Sequence, residues 1–367
     1  MTEAPNPARM TPDPTAGLEG IVAATTRLSH VDGQNGVLIL RGKRLEDLAG
    51  TISFEGAVRH LWQDLEIAGS DSLSAGFGQA RIAAFQVVPL LEQAPPGLAV
   101  FERMQLGLAA LPETNRPGDA ATITGALPVL LAAAHRCAAG LPPLAPDSTL
   151  DTATDLLRML TGVRPPQSHV EALNRYLVTI LDHGLNASTF TARVIASTQA
   201  DLKQAVLGAM GALSGPLHGG APGPVLDMID AIGHPDNATG WIGGALARKE
   251  RLMGFGHRIY RTRDPRADVL KAGLKALGAD NPKVQLAERI ETAALAALRT
   301  AKPDRPLETN VEFYTAVLLD AIGIDRSLFT PLFAAGRTAG WCAHALEQQR
   351  TGKLIRPSSR YVGPPAA

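Results

Sequence analysis

Along most of this chain apolar residues return every three or four positions, the spacing that places them on one face of a helix. The pattern predicts helices over 98–110, 120–139, 150–160, 169–185, 190–198, 202–213, 225–232, 240–249, 267–277, 283–299, 314–322 and 332–349, with glycine, proline or polar residues between them. Upstream, Ser53 is placed to cap a helix in which Phe54, Val58 and Leu61 share a face. The run Val37-Leu38-Ile39-Leu40, closed by Arg41-Gly42, is β-like, and such runs are scarce elsewhere. Residues 120–139 are dominated by Ala and Leu but are interrupted by Gly125 and Pro128 and carry His135-Arg136 near their end, which fits a buried helix better than a membrane span. Many helical patterns and almost no strand pattern predict an all-α fold.

Composition narrows the classes of function. With 367 residues the chain has ample length for one large or two ordinary domains and a sizeable core. Lys plus Arg and Asp plus Glu number 35 each, so no overall field draws the chain to nucleic acid or an anionic membrane, and any anion site must be local. The cluster Arg258, Arg261, Arg263 and Arg266 is interrupted by Asp264 and has one aromatic neighbour, Tyr260, which argues against a nucleic-acid phosphate track. Cys137 and Cys342 each lie in an Ala-rich, helix-like context, which excludes a disulfide framework and points to a reducing compartment. Residues 1–17 lack the apolar run of a signal peptide, and their Glu3 and Asp13 argue against a transit peptide; a disordered tail and a cytoplasmic location are expected. No uninterrupted apolar run has the length of a membrane helix.

The candidate chemistry is concentrated between residues 214 and 314. His218 lies in SGPLHGG (214–220), His257 in MGFGHR (253–258) and Glu312 in NVEFY (310–314). Glycines beside a histidine let the chain turn sharply and let a ligand approach the backbone. Two such histidines and a carboxylate suit proton transfer on both sides of a carbon–carbon bond. A metal site built from His183, His218, His257 and Glu312 is not favoured, because none has the close helical spacing of common metal motifs.

Five ordered motifs, HGLNASTFTARVIAST (183–198), GPLHGGAP (215–222), MGFGHRIYRTRDPRA (253–267), ETNVEFY (308–314) and LFTPLFAAGRTAGWCAHALEQ (328–348), resemble the citrate synthase family, in particular its shorter bacterial members. Weaker matches at GLEG (17–20) and LRG (40–42) extend the similarity over nearly the whole chain. The resemblance implies a large helical domain, 18–218 and 325–367, interrupted by a small one, 219–324, with a cleft that closes on substrate and a homodimer as the active unit. It implies condensation of acetyl-CoA with oxaloacetate, followed by hydrolysis of citryl-CoA to citrate and CoA. His218 would donate to the thioester carbonyl as the enolate forms, His257 would protonate the ketone, and Glu312 would remove the α-proton.

At the position of Glu312 the family most often has Asp. Glu carries the same charge one methylene further from the backbone, so reach changes more than basicity. Arg266, Arg337 and Arg356 would bind the carboxylates of the keto acid, Arg356 from across the dimer interface, and His183 would make a further contact. Arg261 would meet the phosphates of CoA, and the backbone at Leu252, Gly254 and Gly256 would lie against the adenine. No metal and no permanently bound cofactor is implied; acetyl-CoA and CoA enter as substrate and product. Two alternatives stand beside this reading: a 2-methylcitrate synthase using propionyl-CoA, whose acyl group differs by one methylene, and a non-catalytic CoA-binding relative in which Glu312 has ended turnover.

Overall fold

The computed structural model describes residues 17–18, 20–65, 73–112, 119–219, 222–278, 281–305, 307–361 and 363–364. All of the expected disordered tail except Gly17 lies outside these residues. In the N-terminal half the helices are α1 (Leu45–Leu48), α2 (Phe54–Leu61), α3 (Leu73–Ala84), α4 (Val88–Glu92), α5 (Val100–Ala110), α6 (Asp119–Ala138), α7 (Thr152–Thr161) and α8 (Gln167–Ile180). The second half adds α9 (Ala187–Ala196), α10 (Leu202–Leu213), α11 (Pro222–Ile232), α12 (Ala238–Ala247), α13 (Pro265–Ala276), α14 (Pro282–Ala301), α15 (Val311–Ala321) and α16 (Phe329–Thr351). The all-α expectation holds, and the expected Ser53 cap is present, its Oγ accepting from the Gly56 N–H at 3.1 Å.

The predicted strand at 37–40 is the centre of a small antiparallel sheet among β1 (Ser29–Asp32), β2 (Val37–Leu40) and β3 (Lys43–Arg44). Ser29 pairs with Leu40 and Asp32 with Val37, while Leu40 also faces Lys43. Leu38 and Leu40 are buried on alternate positions of β2, the period of a half-buried strand. β1 carries no comparable apolar alternation, which is why SHVD does not read as a strand in isolation. Helix α3 is likewise unpredicted, because Gly76, Gly78 and its alanines dilute the apolar stripe.

Two helices hold the core. Among the described residues α6 is the one helix long and apolar enough to cross a membrane, yet it is packed inside the protein against α3, α5, α7 and α16. Helix α16 touches α6, α8, α9 and α10. Its approach to the end of α8 depends on Gly340, where a Cβ would come within 2.3 Å of the Leu181 carbonyl oxygen. Helix α8 stops at Ile180, short of the predicted 185, because Asp182 turns inward to meet His344 of α16 at 3.2 Å and the Ser29 hydroxyl of β1. That exit carries His183 out of the helix. Helix α15 packs on α11, α13 and α14, and α14 in turn carries α12.

Candidate active site

Helix α15 starts at Val311, so Glu312 lies in its first turn. Asn310 caps it: its Oδ1 accepts from the Glu312 N–H at 3.0 Å, and its Nδ2 donates to the Gly256 carbonyl at 2.8 Å. The Asn310 N–H donates to Gly254 at 3.0 Å, and the Gly256 N–H to Glu308 at 2.7 Å. Gly256 has φ +84°, and a Cβ there would lie 2.9 Å from Leu307, so glycine is the residue that fits. The loop of His257 and the helix start of Glu312 are thereby one hydrogen-bonded unit.

Asp264 extends that unit. Buried at the N-cap of α13, it accepts from the Arg266 N–H at 3.0 Å and from the Arg266 guanidinium at 3.0 and 2.8 Å, and its Oδ2 accepts from the Val311 N–H at 3.1 Å. Arg266 is buried with its charge matched, and its Nη2 lies 3.2 Å from His257 Nε2. His257 Nδ1 accepts from the backbone N–H groups of Ile259 and Tyr260 at 3.0 and 3.1 Å. Arg266 Nη2 points a donor at Nε2 as well, so both ring nitrogens face donors; the two shorter contacts at Nδ1 favour the lone pair there and the single proton of the neutral ring on Nε2, beside the Arg266 donor. Two converging donors of this kind suit the oxygen of a ligand carbonyl or carboxylate. His183 completes the group: its Nε2 is 3.1 Å from the Tyr260 hydroxyl, and its ring centroid is 5.9 Å from that of His257.

His218 is held differently. It follows α10 in a turn closed by its own N–H donating to Gly215 at 3.0 Å, and its Nε2 lies 2.8 Å from Ser188 Oγ of α9. That hydroxyl accepts from Trp341 Nε1 at 3.1 Å and has one proton of its own to give. Asn186 Oδ1, the other acceptor within reach at 2.8 Å, already caps α9 by accepting from the Thr189 N–H at 3.1 Å. Asn186 Oδ1 has a second lone pair, so the Ser188 proton has two acceptors at 2.8 Å, Asn186 Oδ1 and His218 Nε2; donation to His218 leaves the imidazole proton on Nδ1. Arg337, one turn before Trp341 on α16, donates through Nε to Ile180 and lies 4.6 Å over the Phe333 ring. Its buried Nη2 has no protein acceptor among the described residues, which suits a ligand anion.

Burial and the two arginines set the protonation states. His218 and His257 are pushed down to about 4, by desolvation first and then by Arg337 and Arg266 respectively. His183 is held well below the ordinary histidine range by burial and then by Arg266 and Arg337. All three imidazoles are neutral at pH 7. Burial raises the Glu312 carboxyl to about 7 against the opposing pull of Arg266 and Arg337. A carboxylate half ionised at neutral pH is poised to act as a base.

The sequence-predicted residues therefore divide. His183, His257 and Arg266 are in mutual contact through Tyr260, and Arg337 acts electrostatically on His183, His218 and Glu312. Leu252 is buried, whereas Arg261 is exposed and its N–H donates to Gly33 at 2.8 Å. Arg356 is exposed beyond α16 and takes no part in the hydrogen bonds of the cluster. Among the described residues no group of three or more His, Cys, Asp or Glu side chains forms a metal-binding cluster. Sequence reasoning passes over Ser188 and the supporting role of Asp264; the Asp264-Pro265 pair opening a helix and the Asn186 cap were the signals that pointed to them.

Comparison with known proteins bears on what this site is. A sequence model described as "Citrate synthase, C-terminal domain" matches residues 17–358. The chain belongs to the citrate synthase family. It is 42% identical over 358 residues to "Putative citrate synthase 2" of Mycobacterium tuberculosis, covering 95% of this chain and 92% of that protein. It is 37% identical over 367 residues to a "2-methylcitrate synthase" of Mycobacterium tuberculosis, covering 96% and 91%, and 37% identical over 371 residues to "Citrate synthase 2" of Bacillus subtilis, covering 95% and 96%. Among solved structures, citrate synthase from Thermotoga maritima matches with TM-score 0.84 at 32% identity, over 96% of this chain and 97% of that one. A ternary complex of citrate synthase from Thermoplasma acidophilum with carboxymethyl coenzyme A and oxaloacetate matches with TM-score 0.83 at 26% identity, over 97% and 98%. This member of the family is thus a citrate synthase-type acyltransferase with the all-α fold of its relatives.

Proposed function

We propose that this enzyme condenses acetyl-CoA with oxaloacetate and hydrolyses the resulting citryl-CoA. The observation that carries the reading is Glu312: a carboxylate raised to about 7, with no hydrogen-bond partner for its side chain among the described residues, in the electrostatic reach of Arg266 and Arg337. Glu312 takes a proton from the acetyl methyl group as the His218 Nδ1–H donates to the thioester oxygen, where negative charge develops. The enolate carbon attacks the keto carbon of oxaloacetate, and the His257 Nε2–H passes its proton to the keto oxygen. Arg266, Arg337 and His183 hold the carboxylates, and water then cleaves the thioester to release CoA.

The same proposal gives Arg261 to the CoA phosphates and the backbone of Leu252, Gly254 and Gly256 to the adenine, with CoA acting as substrate and product and no permanent cofactor. It assigns residues 219–324 to a small domain that closes on the rest, Arg356 to the neighbouring subunit's site in a homodimer, and the enzyme to the cytoplasm. A second reading, propionyl-CoA as the preferred thioester, is supported by the relative named 2-methylcitrate synthase. One methylene is worth only about 1–3 kcal/mol of discrimination. Oxaloacetate-dependent release of CoA thiol from purified protein decides: preference for acetyl-CoA supports the first reading, and preference for propionyl-CoA the second. Tight CoA binding with neither product would leave a non-catalytic relative.

A further inference from the structure

Tyr260 touches both histidines of the His257 side by different groups. Its backbone N–H, with that of Ile259, donates to His257 Nδ1 at 3.1 and 3.0 Å. Its hydroxyl lies 3.1 Å from His183 Nε2, and its buried ring has centroids 4.8 Å from His257 and 5.7 Å from His183. The Arg266 guanidinium lies 5.9 Å from the same ring. The next residue is pinned, since the Arg261 N–H donates to the Gly33 carbonyl, in the turn between β1 and β2, at 2.8 Å.

A neutral imidazole carries one proton, and the partner of each nitrogen decides where it sits. At His257 Nδ1 faces two backbone N–H groups at 3.0 and 3.1 Å and Nε2 faces one guanidinium N–H of Arg266 at 3.2 Å; all of these only donate, and the two shorter contacts outweigh the one. At His183 the partner of Nε2 is a hydroxyl, which can donate or accept. Phenol is much more acidic than a neutral imidazole N–H, and an imidazole lone pair is much more basic than a phenol oxygen, so the favoured arrangement is O–H donating to nitrogen. Tyr260 is kept protonated by burial, and among the described residues neither its hydroxyl nor His183 Nδ1 has another hydrogen-bond partner.

We propose that Tyr260 is a positioning residue that sets both tautomers: its backbone N–H keeps His257 protonated on Nε2, and its hydroxyl, donating to Nε2 of His183, keeps His183 protonated on Nδ1. Each ring then presents its single N–H away from Tyr260, that of His183 open to a ligand oxygen and that of His257 beside Arg266 Nη2, where a ligand oxygen would accept from both. Resting on the reading of the substrate as a keto dicarboxylate, this makes Tyr260 a determinant of keto-acid binding that does not itself touch the reacting atoms.

The test reads tautomers directly, from 15N chemical shifts of histidine-labelled enzyme with His183 and His257 assigned by single replacement. Wild type should show Nδ1–H for His183 and Nε2–H for His257. Tyr260→Phe keeps the ring and the backbone N–H, so the His183 signal should move toward the Nε2–H form while His257 stays, and KM for oxaloacetate should rise about tenfold with KM for the acyl-CoA changed less than about twofold. His183 protonated on Nε2 in wild type would overturn the proposal without any variant. So would a His183 tautomer unmoved in Tyr260→Phe, or both histidines moving together. If wild type releases no CoA thiol from either thioester, the proposed reaction fails while both tautomers can still be read.

Discussion

The two acid histidines are held by opposite means. His218 is oriented by side chains brought from other helices, Ser188 of α9 and behind it Trp341 of α16, whereas His257 is oriented by N–H groups two and three residues further along its own loop. The first arrangement depends on the packing of α9 against α16, the second on the local path of the chain. Both rings nonetheless reach the same state, neutral at pH 7. Neutrality comes from burial and the arginines, and orientation is a separate problem that the two halves solve independently.

Glu312 serves both halves, so its removal should have the largest effect. Glu312→Gln is expected to lower kcat about 1,000-fold, the order expected of a lost general base; a loss below about tenfold in steady-state assays would move the base elsewhere. Next, Gly256→Ala attacks the locally built half together with the Asn310-capped helix start that is tied to it. With φ +84° and Leu307 only 2.9 Å from the new Cβ, the 254–256 loop must shift. Activity should fall about 100-fold, with about 1–3 kcal/mol lost in thermal or denaturant unfolding.

Ser188→Ala attacks the other half. It frees the His218 tautomer and strands the Trp341 N–H, so kcat should fall about tenfold and stability by about 1 kcal/mol. An effect larger than that of Gly256→Ala would reverse the comparison. A separate effect, outside this ranking by activity, is on stability against pH. Glu312 in the folded protein holds its proton to about 7, above the ordinary 4.5, so the folded state binds the extra proton between those values. Stability is therefore lost as pH rises through that window, and Glu312→Gln should be more stable than wild type at pH 8 by about 3 kcal/mol, an advantage that shrinks toward pH 4.

How much of this was legible in the sequence differs along the same divide. The helices of the second half were read nearly to their ends where a polar cap opens them, as Asp201, Asp264 and Asn281 do for α10, α13 and α14. Both histidines were legible from their glycines, and Glu312 from its motif. The supports were legible only where they are local: Asp264 precedes a proline at a helix start, and Asn310 sits two residues before Glu312. Ser188 lies thirty positions from His218, and Trp341 a further 153 from Ser188, and no local pattern encodes such pairs. β1 and α3 were missed for a related reason: tertiary contacts select them, Ser29 meeting Asp182 and α3 packing on α6, against weak local preference.

The pH dependence of kcat/KM for the acyl-CoA tests the central claim, a carboxylate base between two neutral histidines, most directly. The account predicts a single-proton acid limb centred near 7 from Glu312, with no second proton entering until about 4, where His218 and His257 titrate. A limb of slope two, or one centred where an ordinary histidine titrates and retained in Glu312→Asp and Glu312→Gln, would contradict it.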